Sequence, residues 1–395
     1  MTISKKVILL LLLSLTLFSC ASRAPVIEIE SPVEIPAPLA PPMIEVPDET
    51  YLTIVAVGDN IIHDPVLRAS FDGKAYSFDS IYDNIRYYIK AADIAFVNQE
   101  TVLGNEKTGY SGYPLFSTPR EAGAALAAAG FNVVNHATNH AMDKGEAGIL
   151  STMDYWDSQG AVRYLGIHRS EEDRKSRHAI ISKNNIKVGF LAYTYGTNGI
   201  ALPKDKSYLV SLIEREKMAA EIDALRPFCD YLVVSMHWGE EYRMEYNESQ
   251  MRLATLLAEH QVDLVIGHHP HVLEPFVIIS RPDGGSMPVF YSLGNFLSAH
   301  ARPFKEVLLG GLAYVKLKKS GEKTSVEEIG LIPVITHYEA NHTSFSIYPL
   351  HDYSEELAEK HWRRINDNDT TLNFFNEKAQ EIFGPVLILE NPFAF

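Results

Sequence analysis

Val262-Asp263-Leu264-Val265-Ile266-Gly267-His268-His269-Pro270-His271-Val272 begins as an apolar run of the kind that forms a buried strand. It breaks at a glycine followed by three histidines in four positions. Neutral imidazole is the commonest nitrogen ligand of divalent transition metals, and a His-x-His pair turns two rings to one site where the backbone is extended or irregular. A histidine-rich polar turn is the alternative. The choice depends on whether other strands end in the same way, because open α/β sheets collect their ligand sites beyond the carboxyl ends of the strands.

They do. Tyr51-Leu52-Thr53-Ile54-Val55-Ala56-Val57 is β-rich and ends in Gly58-Asp59-Asn60, which places the Asp59 carboxylate just past a strand; His63 follows, between site and surface. Ala92-Asp93-Ile94-Ala95-Phe96-Val97, after a helix expected near Tyr82–Ala91, stops at Asn98-Gln99-Glu100 and offers further oxygen ligands. The segment Gly104–Pro119, with Tyr110 and Tyr113, is too long for a tight connection and reads as a substrate-facing flap. Pro119 opens an alanine-rich helix closed by Gly130. The strand Phe131–Val134 then runs into Asn139-His140, where an amide suits a metal and an imidazole a reacting group, with Asp143 placed to orient the His; a polar helix-entry loop is the alternative. Two less informative strands follow near Val162–Leu165 and Val188–Tyr193, with a helix over Ile213–Leu225. Tyr231–Met236 delivers His237-Trp238-Gly239-Glu240-Glu241-Tyr242, an amphipathic helix covers Ser249–His260, and Val289–Leu293 ends in Gly294-Asn295-Phe296. Polar strand ends alternating with helices predict an α/β fold around a metal-centred site.

The chain has 395 residues, 46% of them apolar, enough for a large core. Its net charge of -15 argues against nucleic acid, whose phosphates require Lys/Arg-rich faces. Lys5-Lys6, the apolar run Val7–Phe18 and Ser19-Cys20 have the layout of a signal peptide over residues 1–20, with Cys20 as a lipidation site; an uncleaved membrane anchor is the alternative. Residues 21–49 carry Pro25, Pro32, Pro36, Pro38, Pro41, Pro42 and Pro47 and read as an extended extracytoplasmic linker. The body is then exported and membrane-anchored through its N-terminus. Cys229, in apolar surroundings, reads as a buried structural thiol.

Gly58-Asp59, Asn98-Gln99-Glu100, Asn139-His140-Ala141-Met142-Asp143-Lys144-Gly145, His237-Trp238-Gly239-Glu240-Glu241-Tyr242, Gly267-His268-His269-Pro270-His271-Val272 and Ser292-Leu293-Gly294-Asn295-Phe296 together resemble the CapA/PgsA-type poly-γ-glutamate capsule biosynthesis proteins. These are relatives of calcineurin-like metallophosphoesterases. The resemblance implies a four-layer α/β/β/α sandwich, metallophosphoesterase-like, over residues 50–350, with residues 351–395 a helix and extension on the same domain. It implies one or two divalent metal ions (Mn, Fe or Zn) held by Asp59, Glu100, Asn139, His237, His269 and His271, with His140 as acid or electrostatic stabiliser and Asp143 behind it. His268 takes a supporting or surface place. Asn98, Tyr110, Tyr113, Glu240 and Asn295 are expected to face substrate. The sequence departs from metallophosphoesterases in one respect: the Asp-x-His of their first strand is here Asp59-Asn60-Ile61, and Asn98-x-Glu100 stands where they carry a bridging Asp.

The function implied is synthesis, export or anchoring of γ-linked polyglutamate or another cell-surface polymer, alongside capsule synthase subunits, with a metal site that hydrolyses or transfers γ-glutamyl bonds. A periplasmic metallophosphoesterase and a non-catalytic polymer-binding scaffold are the alternatives. Beyond Asn295, Leu308–Leu317 and Val326–Thr336 are strand-like and expected to complete the second sheet, Ser354–Ile365 reads as a surface helix, and Pro385–Leu389 as an edge strand.

Overall fold

Polar strand ends can meet only if the strands that carry them run side by side in the same direction. The computed structural model describes residues 49–176, 179–300, 304–365, 367–384 and 387–394. The signal segment, Cys20 and the linker up to residue 48 lie outside the described residues, whereas Glu49, expected to close the linker, already pairs with Ser320 as the first residue of a strand. In chain order the strands are β1 (Glu49–Asn60), β2 (Ile94–Gln99), β3 (Val133–Asn135), β4 (Arg163–Leu165), β5 (Ala179–Lys183), β6 (Ile186–Thr194), β7 (Tyr231–His237), β8 (Leu264–His268), β9 (Leu273–Ser280), β10 (Ser286–Leu293), β11 (Asn295–Leu297), β12 (Leu309–Ser320), β13 (Lys323–Glu339) and β14 (Thr343–Pro349).

They form two sheets. One has the order β14-β13-β12-β1-β2-β3-β4, with β11 joined to β1; the other has the order β5-β6-β7-β8-β10-β9. Within the first, β1 through β4 are parallel, and within the second so are β6, β7, β8 and β10. Period-2 alternation in β7 shows how the layers stack. Tyr231 and Val233 belong to the core shared with the first sheet, where Phe96 stacks on Phe190 at 6.2 Å. Leu232, Val234 and Met236 point the other way and pack with Met218, Ile222, Ala254 and Leu257 from the helices Arg215–Leu225 and Glu248–Glu259. The far face of the first sheet is covered by the helices Arg120–Ala129 and Glu146-containing Gly145–Gln159, whose Leu126, Ile149, Met153 and Trp156 are buried. Helix, sheet, sheet and helix give the four-layer α/β/β/α sandwich.

Two expectations are corrected. The strands over Leu308–Leu317 and Val326–Thr336 do not complete the second sheet: β12 pairs antiparallel with β1 from Glu49 to Val57 and β13 pairs with β12, so both extend the first. The helix expected near Tyr82–Ala91 is a 3-10 turn over Asp79–Tyr82 followed by a short helix over Arg86–Ala91. An unanticipated helix, Leu372–Phe383, buries Phe375, Ala379 and Phe383, capped at its N-terminus by the Thr371 side chain. Residues 385 and 386 lie outside the described residues, and Ile388 bridges Leu331. Among the described residues no helix is long and apolar enough to cross a membrane.

Candidate metal centre

The two sheets bring their carboxyl-end edges together. In the first, Asp59 pairs with Asn98 across β1 and β2, and Asn98 with Asn135 across β2 and β3. In the second, Thr194, His237 and His268 lie abreast across β6, β7 and β8. Gly58 permits the approach at the first edge, where an added Cβ would lie 1.9 Å from the Gly294 carbonyl oxygen; Gly267 has the same role against Tyr291 at 1.8 Å. Beyond Gly267 the backbone turns irregular. His269 and His271 both have left-handed φ, 98° and 60°, a conformation that costs a non-glycine residue about 1–3 kcal/mol and that persists where the surroundings impose it. This turns the His271 ring back toward Asp59 and Glu100 and sets the His269 ring beside that of His237.

Asp59 is fully buried and held from several sides. Asn98 Nδ2 donates to its Oδ1 at 2.7 Å, while the His269 backbone N–H at 3.2 Å and His271 Nδ1 at 3.0 Å reach its Oδ2. Burial alone favours the neutral acid, but the His271 hydrogen bond and the neighbouring charges outweigh it and hold the carboxyl below its ordinary value.

Glu100 is the opposite case. Both carboxylate oxygens are buried and neither has a hydrogen-bond partner among the described residues. Three imidazole Nε2 atoms stand around Oε1: His237 at 3.9 Å, His271 at 3.9 Å and His140 at 4.0 Å. Burial pushes the Glu100 carboxyl well above its usual range; His271 pulls against this, and the Asp59 and Glu241 charges add to it. The histidines divide. Burial, reinforced by the neighbouring imidazoles, keeps His237 well below its normal value and His269 at about 3, so both are neutral, the form in which an imidazole ligates a cation. For His271, burial is overcome by Glu100 and Asp59, which push it up to about 9. A buried carboxylate without donors, ringed by imidazoles at distances too long for hydrogen bonds, is a donor set that fits a divalent ion. One atom from each of Asp59, Glu100 and His237 lies within 4.8 Å of the others, and the same holds for Glu241, His269 and His271.

Around this centre, Asn139 Oδ1 lies 3.0 Å from His237 Nε2. His140 Nδ1 bonds Asp143 Oδ2 at 2.8 Å, and that oxygen also accepts from the Phe116 backbone N–H at 2.7 Å, so the His140 Nε2 edge is the one turned toward Glu100. A cavity of about 550 Å³ opens onto Glu100, His140, Glu241 and His271, walled by His63, Tyr113, Phe116, Tyr242 and His300. A larger one, about 630 Å³, lies around Arg174, Glu221 and Tyr193 and contains none of the clustered ligands; there Arg174 and Tyr193 both donate to Glu221.

The family model described as bacterial capsule synthesis protein PGA_cap matches residues 53–300. The chain belongs to this family. Among curated relatives, the PGA_cap chain is 30% identical over 259 residues to the PGA biosynthesis protein CapA of Bacillus subtilis (strain 168), covering 59% of this chain and 64% of that one. It is 28% identical over 254 residues to the capsule biosynthesis protein CapA of Bacillus anthracis, covering 62% and 59%. The chain thus spans less than two thirds of the length of either relative. Among solved structures it is similar to the calcineurin-like phosphoesterase YfkN of Bacillus subtilis (TM-score 0.42, 14% identity, 83% of this chain and 99% of that one). It is also similar to the NAD nucleotidase of Haemophilus influenzae (TM-score 0.44, 12% identity, 84% and 60%).

In this PGA_cap chain the structure gathers Asp59, Glu100, Asn139, His140, Asp143, His237, His269 and His271 in one place, and it revises the residues expected to face substrate. Asn98 is fully buried between Asp59 and Asn135, so it orients the carboxylate and is closed to substrate. Asn295 is likewise buried, its Nδ2 donating to the His271 and Val307 carbonyls, where it braces the histidine loop. Glu240 is exposed and pairs with Arg243, while its neighbour Glu241 lines the cavity. Tyr113 lines the cavity; Tyr110 packs against Tyr76 and is not among its walls. His268 is not at the surface: it stacks on Phe96 in the inter-sheet core, 3.6 Å from Asp59 Oδ1. Cys229 is partly buried, against Gly189, and burial raises its thiol.

The loop after β6, Tyr195-Gly196-Thr197-Asn198-Gly199, also reaches the site, although its glycines and asparagine signal only a turn. Tyr195 lies over His269 with ring centroids 4.6 Å apart, and Asn198 touches both Asn139 and His140. The one available signal was position: this turn too follows a parallel strand.

Proposed function

We propose that this chain is a divalent-metal-dependent hydrolase or transferase of capsule polymer synthesis, acting on γ-glutamyl amide bonds outside the cytoplasm, where an acylated Cys20 and the Pro-rich linker tether it to the membrane near the polymer synthase. The observation that carries the reading is Glu100, a buried carboxylate whose two oxygens have no donor while three imidazoles face it. Placement in capsule synthesis is supported by family membership and by the names of the Bacillus relatives.

Asp59, Glu100, His237 and Asn139, with His269, His271 and Glu241 beside them, are the residues that would hold the ion. Bound there, a divalent ion supplies Lewis-acid polarisation of the scissile carbonyl. His140, fixed through Nδ1 by Asp143, presents Nε2 to the cavity, where it takes a proton from the water, or in transfer the acceptor amine, that attacks the scissile carbonyl and hands it to the departing amine. Phe116 packs edge-on against the His140 ring at 4.7 Å and keeps it in that pose. Among the described residues no Lys or Arg lines the cavity, whereas Asp64, Glu100 and Glu241 do, so an anionic polymer meets carboxylates there beside imidazoles, phenols and any bound ion. This suits a site that acts on one bond of a chain without gripping its neighbouring carboxylates.

The test is metal content by mass spectrometry on the purified full chain, together with amine release from γ-linked oligoglutamate. Cleavage that chelation abolishes, and that His140→Ala abolishes with metal retained, is the expected result. Absence of bound metal and of cleavage overturns the reading; rapid turnover of an aryl phosphodiester in place of the amide replaces it with a phosphoesterase, and polymer binding without cleavage with a scaffold.

A further inference from the structure

We infer that Asn198 is a positioning residue that fixes which atom of Asn139 faces the candidate metal centre. The inference rests on the metal reading above. An asparagine amide presents an oxygen on one side and an NH2 of the same size on the other, and only its hydrogen-bond partners decide which way it lies. For Asn139 to offer Oδ1 toward His237 Nε2, its Nδ2 needs an acceptor on the opposite side. Asn198 Oδ1 is such an acceptor, at 3.2 Å, and the Tyr195 hydroxyl, itself bonded to Asn198, hydrogen-bonds Asn139 beside it. If Asn139 were turned over, two amide oxygens would confront each other there and an NH2, which cannot ligate a cation, would face the centre.

The lock holds only if Asn198 is itself held, and it is. Its Oδ1 also accepts from the Tyr195 hydroxyl at 3.3 Å, and its Nδ2 lies 3.4 Å from each ring nitrogen of His140. The backbone is tied to the site as well: the Tyr195 N–H donates to the His237 carbonyl at 3.0 Å, and the turn closes on itself from Ile200 N to the Thr197 carbonyl at 2.9 Å and from Thr197 Oγ1 to the Ile200 carbonyl at 2.7 Å. Asn198 has a φ of 50°, a left-handed conformation that Asn, Asp and Gly adopt most readily. One residue therefore spans Asn139, of the ligand set, and His140, the proton donor of the proposed reaction.

That conformation supplies its own controls. Asn198→Gly keeps the backbone and removes the acceptor; Asn198→Asp keeps the backbone and an oxygen that accepts from Asn139 Nδ2. The measurement is Mn2+ affinity of the full chain by equilibrium dialysis, with thermal melting of each metal-free variant to establish that it is folded. Outer partners of metal ligands are typically worth 10–100-fold in affinity, so Asn198→Gly is expected to bind Mn2+ at least about tenfold more weakly and Asn198→Asp no more weakly than the wild type. Equal affinity of the glycine variant and the wild type, or equal loss in both variants, overturns the inference while leaving the metal reading intact. A wild-type chain that binds no Mn2+ overturns the metal reading and this inference with it.

Discussion

Glu100→Gln separates the cost of the site from its use, because it is expected to change stability and metal binding in opposite directions. In the metal-free chain the charge that favours ionised Glu100 is His271, pushed up to about 9 and therefore cationic at neutral pH, with Nε2 3.9 Å from Oε1. At an effective dielectric of about 20 that attraction is worth about 4 kcal/mol. Against it stand the burial of a carboxylate, which costs several kcal/mol, two oxygens without donors, and repulsion from Asp59 and Glu241. Burial wins, since the carboxyl is raised well above its ordinary value. Replacing it with a neutral amide of the same shape is expected to stabilise the metal-free chain by about 1–3 kcal/mol, a rise of a few degrees in Tm. Metal affinity falls instead: outer partners cost 10–100-fold, so removal of a direct donor is expected to exceed about 100-fold. Differential scanning calorimetry of the chelated proteins and dialysis against Mn2+ measure the two halves. A Glu100→Gln chain that melts lower than wild type without metal, or that keeps wild-type affinity, refutes the reasoning that Glu100 is an unsatisfied carboxylate kept for a cation.

Three further predictions concern His271, Asp143 and Gly58. The His271 imidazole is raised from 6.5 to about 9 in the folded chain, so the stability it contributes, about 3 kcal/mol, is fully present below pH 6.5 and is lost as pH rises through 9. Urea unfolding of chelated protein at pH 6, 7.5 and 9 should show this decline, and His271→Asn should flatten it. Asp143→Asn leaves metal content unchanged but weakens the partner of His140 Nδ1, and turnover of γ-linked oligoglutamate is expected to drop by about 10²–10⁴-fold. Gly58→Ala places a Cβ 1.9 Å from the Gly294 carbonyl oxygen, a backbone atom, and is expected to destabilise by about 3 kcal/mol or more, read as a lowered urea midpoint.

The parts of the site legible in the sequence share a physical cause. A parallel strand buried on both faces must be apolar for its whole length, as Val55, Ala56, Val57, Val233 and Val234 are. A carboxylate, amide or imidazole just after such a run is therefore conspicuous, and Asp59, Glu100, His237 and the histidines after Gly267 were all found this way. What was lost lies where that rule stops giving direction. An apolar strand announces burial but not its neighbours, so the sheet that β12 and β13 join is not legible: β12 pairs with β1, more than 200 residues away in the chain, and nothing local names it.

The confusion of Glu240 with Glu241 shows the limit more sharply. Along β7 the faces can be counted by twos as far as His237, but Gly239 has a left-handed φ of 91° and resets the count, so which of two adjacent glutamates turns inward is decided by one backbone angle. Beside His269 and His271 the same kind of break works in favour of the site: two left-handed histidines flank Pro270, and a regular strand would have sent neither ring where it is. Irregular backbone is thus both what the site is made from and what hides its members from a reading by period. Asn98 and Asn295 were misjudged for a different reason. A buried amide that orients a carboxylate and one that meets a ligand have the same letter and the same place at a strand end, and only the partners of Asn98, Asp59 Oδ1 at 2.7 Å and the Asn135 amide at 2.7 Å, tell them apart. The residues clustered at the candidate metal centre are legible by type, and those that aim them only by contact.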